Sequence, residues 1–125
     1  MNYRTPEEVM AEAAPVIRAA LPDANVPTSI RATGLPVRHL PRSERDVVLA
    51  GWQAEHPEGI ACVIGDPSFA GTDRVRSLTP SLSKGLEFDL VVLVEPAALG
   101  PGIEGAVDRY VAMTRATQQV VVLSG

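Results

Sequence analysis

At 125 residues the chain has the length of one domain, and a core of that size buries about two thirds of the surface its unfolded chain exposes. Apolar residues make up 46% but aromatics only 4%, so the core must be aliphatic, and the net charge of −4 offers nucleic acid no long-range attraction. No apolar run approaches the roughly 20 residues that span a bilayer, no charged segment leads into an apolar stretch at the start, and one cysteine excludes an internal disulfide or a multi-cysteine metal site. The expectation is a cytoplasmic domain with no membrane partner.

Thr5-Pro6-Glu7-Glu8 reads as a helix start. Thr5 caps, Pro6 suits the first helical position, and Glu8 completes a Thr-x-x-Glu capping box. Val9, Ala13, Val16, Ile17 and Ala20 follow at helical spacing. Pro15 has no N–H and clashes with the preceding turn, which predicts a kink or two abutting helices, and Pro22 ends the pattern. Between 22 and 41, four prolines and Gly34 predict loops with short β-capable stretches at Ser29 to Arg31 and Val37 to Leu40.

Ser43 is placed to cap a second helix reaching His56, with Val47, Val48, Gly51 and Ala54 on its buried side and Trp52 as a packing residue. Ile60 to Ile64, Phe88 to Val94 and Val120 to Leu123 are continuous apolar runs, the pattern of strands covered on both faces. Val75 to Thr79 is a weaker fourth candidate. Cys62 falls inside the first run and reads as a small buried hydrophobe. Strands alternating with helices predict a mainly parallel sheet in an α/β domain. A last helix is expected from Glu104 to Arg115, with Val107, Tyr110, Val111 and Thr114 at core spacing.

Three blocks join this grammar to committed side chains: Asn2-Tyr3-Arg4-Thr5, Lys84-Gly85-Leu86-Glu87-Phe88-Asp89, and Tyr110-Val111-Ala112-Met113-Thr114-Arg115-Ala116-Thr117. Read by themselves, the second is a polar turn with Lys84 in solvent, and Arg115 complements a helix dipole for about 0.3 to 1 kcal/mol. Arg31, Arg38, Arg42 and Arg45 gather upstream with no aromatic among them, which favours a solvated face over a phosphate track. In an open parallel sheet a ligand is expected beyond the carboxyl ends of the strands, and the 79 to 89 segment leaves one strand there.

Together and in this order, the blocks resemble the fourth, fifth and sixth motifs of UvrD/Rep-type superfamily 1 helicases. The resemblance implies a RecA-like three-layer α/β domain with a mainly parallel sheet. Residues 1–125 would be the C-terminal motor domain of a larger ATP-dependent helicase or translocase, preceded by a strand and by an N-terminal RecA-like domain. It implies roles as well: Arg115 and Arg4 as arginine fingers on the γ-phosphate, Glu87 beside Gly85 on the ribose hydroxyls, and Tyr3 stacked on adenine. A planar, permanently charged fork suits the first role, and base stacking is worth about 1 to 3 kcal/mol in single-strand binders.

Thr79 and Ser81 stand where such helicases carry a Thr-x-His that meets a DNA strand. The missing histidine, with the Asn-Tyr-Arg-Thr-Pro start and the Arg-Ala-Thr-Gln ending, is similar to the HelD-like branch, which brings RNA polymerase as a partner. The sequence has no Gly-x-x-x-x-Gly-Lys-Ser/Thr loop and no acidic pair for a magnesium-bound water. It would therefore share ATP with the preceding domain, meet Mg2+ only through the nucleotide, hold no metal itself, and turn over nothing alone. The alternatives are an interaction module that kept the fold without the motor, and a complete small nucleotide-binding enzyme, which the missing loop disfavours.

Overall fold

A computed structural model of the protein describes residues 6–22, 37–66, 69–72, 74–100 and 102–124. The apolar runs become the centre of a five-stranded sheet: β1 (Arg38–Pro41), β2 (Ala61–Ile64), β3 (Val75–Leu78), β4 (Phe88–Val94) and β5 (Ala116–Ser124). Their order is β1-β5-β4-β2-β3, and every pairing is parallel. Between them run α1 (Glu7–Ala20), α2 (Arg45–Glu55), the single turn α3 (Pro80–Ser83) and α4 (Gly102–Met113).

The central strands are buried on both faces, and alternate residues divide into two cores. Cys62, Ile64, Phe88, Val91, Leu93, Val120 and Val122 pack with Val9 and Ala13 of α1 and with Ala112 and Met113 of α4. On the other face Ala61, Val63, Val75, Leu90, Val92, Val94, Val121 and Leu123 meet Leu49 and Trp52 of α2. Three layers result, with α1 and α4 together on one side and α2 on the other. Among the described residues, no helix is long and apolar enough to cross a membrane.

Several expectations change. The capping position of α1 falls on Pro6, with no side-chain cap bond, while Thr5 lies outside the described residues, as do Ser29 to Arg31. One α-helix runs through Pro15 without a break. Pro15 and Ala11, whose carbonyl loses its partner, are both exposed, so water can take the orphaned acceptor. Ser43 sits inside a 3-10 turn, Arg42–Glu44, and caps nothing. Starting α2 at Arg45 turns Leu49 and Trp52 inward, leaving Val47, Gly51 and Ala54 exposed and Val48 half-buried. Larger apolar area at Leu49 and Trp52 makes that rotation the favourable one.

Candidate functional site at the amino edge of the sheet

Phe88 and Ala116 are the first paired residues of β4 and β5. The Phe88 N–H donates to the Arg115 carbonyl at 2.9 Å, and the Thr117 hydroxyl donates to the Phe88 carbonyl at 3.3 Å. Two neighbouring strands thus begin at one level, which places the backbones of Glu87 and Arg115, each one residue upstream, next to each other. They lie 28 positions apart in the sequence, and the parallel pairing joins them. Because both precede their strands, they lie at the amino edge of the sheet. The segment 79 to 89 leaves β3 at the carboxyl edge, as expected, but Glu87 and Arg115 themselves lie at the opposite edge.

The approach to Glu87 is built by α3. Thr79, after the carboxyl end of β3, accepts the Leu82 N–H on its hydroxyl at 3.2 Å as an N-cap, with Pro80 in the first turn. The buried Ser83 hydroxyl donates to the Pro80 carbonyl at 2.7 Å. Gly85 has φ of +79°, a left-handed conformation that L side chains adopt at a cost, and it turns the chain toward β4. Lys84 and Glu87 are exposed, as are Leu82 and Leu86 beside them. Ser81 is also exposed, whereas the Thr79 hydroxyl is engaged in its cap. The pair Thr79 and Ser81 is therefore separated from Glu87 by the return of the chain from one edge of the sheet to the other.

Arg115 lies two residues beyond the end of α4, after the turn residue Thr114, not within the helix as expected. It is half-buried and its guanidinium folds back along α4: Nε donates to the Val111 carbonyl at 3.1 Å and Nη2 to the Thr114 hydroxyl at 3.3 Å. Thr114, 7% exposed, itself donates to the Tyr110 and Val111 carbonyls, at 2.9 and 3.2 Å. Burial raises the Tyr110 phenol pKa, with Arg115 and Arg18 pulling against that shift. The arginine is thus anchored by two donors of the five a guanidinium carries.

A cleft of about 600 Å³ opens on the α2 side of the same edge, lined by His56, Pro57, Glu58, Gly59, Asp89 and Gln118. Beside it lies a shift in register between Phe88 and Leu90, where Leu90 pairs with Gln119 instead of Gln118. Such a bulge re-aims side chains at a sheet margin. Asp89 accepts the Ile60 N–H at 2.9 Å, and the His56 ring stacks on Trp52 at 4.7 Å. Asp89 was named in the sequence only as the end of the Lys84–Asp89 block, and Gln118 and His56 were not singled out, because the bulge that groups them leaves no residue signature.

The carboxyl edge is differently equipped. Loops after β2 and β4 leave for opposite sides of the sheet, forming a topological switch point. There the Arg45 guanidinium meets the buried Asp66 carboxylate at 2.5 Å and lies over the Phe69 ring at 4.9 Å. The bond to Asp66, then that to Asp46, raises the pKa of Arg45. Arg45 is therefore tied into an ion pair, while Arg38 and Arg42 are exposed and Arg31 lies outside the described residues. Among the described residues no group of three His, Cys, Asp or Glu side chains could hold a metal ion. Tyr3 and Arg4 lie outside those residues.

No family model matches the sequence, and no curated protein matches it. Among solved structures, the chain is similar to the crystal structure of the C-terminal domain of a possible DNA helicase from Lactobacillus plantarum WCFS1, with a TM-score of 0.65 and 13% identity. The match covers 100% of this chain and 89% of that one. At that identity the likeness is one of fold: five parallel strands between helical layers, in keeping with a RecA-like α/β domain.

Proposed function

We propose that this chain is the C-terminal RecA-like motor domain of an ATP-dependent superfamily 1 DNA helicase or translocase, and that its amino edge closes over ATP held by a preceding RecA-like domain. The observation that carries this reading is the adjacency of Glu87 and Arg115 across the β4–β5 pairing. A carboxylate that accepts two hydroxyl donors and a guanidinium with free N–H donors are the two groups that ribose and γ-phosphate call for at one edge. The fold neighbour, whose title names a possible DNA helicase, supports it as well.

The described donors fit half of a nucleotide site. Lys84 and Arg115 supply positive charge and Glu87 a hydroxyl acceptor, but the sequence has no phosphate loop, so ATP and its Mg2+ rest on the other domain. Arg115 neutralises charge that develops on the transferred phosphoryl group. Hydrolysis removes that charge and releases the edge, which converts chemistry into relative motion of two domains. Ser81 and Thr79, displaced from Glu87 along α3, are the proposed contacts to a DNA strand, with Tyr3 and Arg4 completing the nucleotide contacts. RNA polymerase as a partner rests on the sequence resemblance to the HelD-like branch alone.

The test is Arg115→Ala in the full-length protein. Turnover should fall by about a thousandfold or more, the scale of an arginine finger elsewhere, while ATP binding measured by equilibrium titration persists. Turnover within a few fold of the unaltered protein would overturn the assignment.

A further inference from the structure

Arg115 does not stand alone at the end of α4. Its Nη2 reaches the Thr114 hydroxyl at 3.3 Å while its Nε holds the Val111 carbonyl at 3.1 Å. The same hydroxyl is fixed by the Tyr110 and Val111 carbonyls, at 2.9 and 3.2 Å. Thr114 is 7% exposed, its neighbours Ala112 and Met113 are buried, and the Thr114 N–H closes the helix on the Tyr110 carbonyl at 3.0 Å. The hydroxyl therefore belongs to the rigid end of a packed helix. A guanidinium braced against it has two of its five donors fixed and three outside these bonds.

We propose that Thr114 is a positioning residue for Arg115: its hydroxyl sets the orientation in which the guanidinium meets the γ-phosphate. This inference rests on the nucleotide reading given above. The physical reason is preorganisation. A free arginine has to lose rotamer freedom when it meets its phosphate. A braced one has lost much of it on folding, and its fork already points one way. Valine at 114 keeps the branched shape and removes the hydroxyl. Serine keeps the hydroxyl and removes a methyl group. A role limited to packing would be served by valine, and an orienting role by serine.

Two measurements decide it. In the full-length protein, Thr114→Val should lower kcat on the order of 10- to 100-fold, the scale of a misplaced catalytic group, with KM for ATP changed by less than about threefold. Thr114→Ser should restore kcat to within about threefold, and Thr114→Val should add little to Arg115→Ala, because groups acting as a unit are not additive. If Arg115→Ala abolishes turnover and Thr114→Val leaves it intact, the positioning role fails and the nucleotide reading stands. If Arg115→Ala leaves turnover intact, the nucleotide reading fails and takes the catalytic role of Thr114 with it.

The second readout needs no activity. In the 125-residue chain the Arg115 Nε–H resonance should be sharp and slow to exchange with solvent, should exchange at least about tenfold faster in Thr114→Val, and should recover in Thr114→Ser. Unchanged exchange in a folded Thr114→Val chain overturns the brace itself.

Discussion

Glycine to alanine in a helix normally stabilises, and in this fold the same substitution should act with opposite signs at two positions. Gly51 is exposed in α2, and a Cβ built there meets nothing within 4 Å. Alanine at 51 restricts the unfolded chain and raises helix propensity, a gain of roughly 0.5 to 1 kcal/mol. Gly105 in α4 is buried, and its Cβ would fall on the carbonyl oxygen and carbon of Gly100. Those are backbone atoms, so no side-chain rotation relieves the contact. Gly100 is held further by the Arg109 Nη1 donor to its carbonyl at 3.0 Å.

The cost at 105 combines overpacking, about 1 to 3 kcal/mol, with loss of the Arg109 bond, about 0.5 to 1.5 kcal/mol. Propensity returns about 1 kcal/mol. A net destabilisation of about 1 to 3 kcal/mol follows, against a small domain's total of about 5 to 15. With urea m-values of about 1 to 3 kcal/mol/M, the midpoint for Gly105→Ala should drop by about 1 M. That for Gly51→Ala should rise by a few tenths. Far-UV circular dichroism, with Trp52 fluorescence as a second probe in the buried α2 interface, reads both. A Gly105→Ala midpoint at or above that of the unaltered chain would refute the claim that α4 docks on the Gly100 backbone.

The remaining expectations concern the first core and the approach to Glu87. Burial, opposed weakly by Arg76, pushes the Cys62 thiol from 9.0 up to about 12, so near neutral pH its thiolate is about a thousandfold scarcer than in an unfolded chain. A disulfide-forming thiol reagent should leave the native chain unlabelled and label it fully in concentrated denaturant; rapid native labelling would contradict the packing. The sign for stability follows: the native thiol keeps its proton where the unfolded one loses it, so this contribution is intact below pH 9.0 and is lost as pH rises toward about 12. Thr79→Ala removes the N-cap of α3 and should cost about 0.5 to 2 kcal/mol by urea titration, with Thr79→Asp recovering most of it. An equal loss for both variants would show that the hydroxyl does not act as a cap.

The strands were the legible part of the sequence, for a physical reason. A strand covered on both faces needs apolar side chains at nearly every position, so Leu90 to Val94 declares itself in composition, and Phe88–Val94 keeps the ends expected for it. β5 was read from Val120, yet it starts at Ala116, because Thr117, Gln118 and Gln119 are only half-buried near the open edge and carry no apolar signature. The phase of α2 was not legible. Val47 and Leu49 are both apolar, and only packing against Val63 and Val92 decides between the rotations. Which edge of the sheet carries the motifs depends on how nine residues from Thr79 to Glu87 travel back to the start of β4. No single residue in that segment encodes its direction.

On the proposed reading, Arg115 has a structural and a catalytic use together at the amino edge. The carboxyl end of α4 points at this edge, where a helix carries about half a negative charge, and a cation there stabilises by about 0.3 to 1 kcal/mol. The bond from Arg115 Nε to the Val111 carbonyl is the geometric form of that attraction. On the proposed reading, the dipole locates the charge at the edge where β4 and β5 begin and Thr114 sets its direction. The two contributions differ greatly in size. Removing the guanidinium should lower folding stability by less than about 1 kcal/mol while removing about 4 kcal/mol of transition-state stabilisation, the equivalent of a thousandfold in turnover. A loss of stability as large as the loss of catalysis would mean that the arginine is there to close the helix and no more.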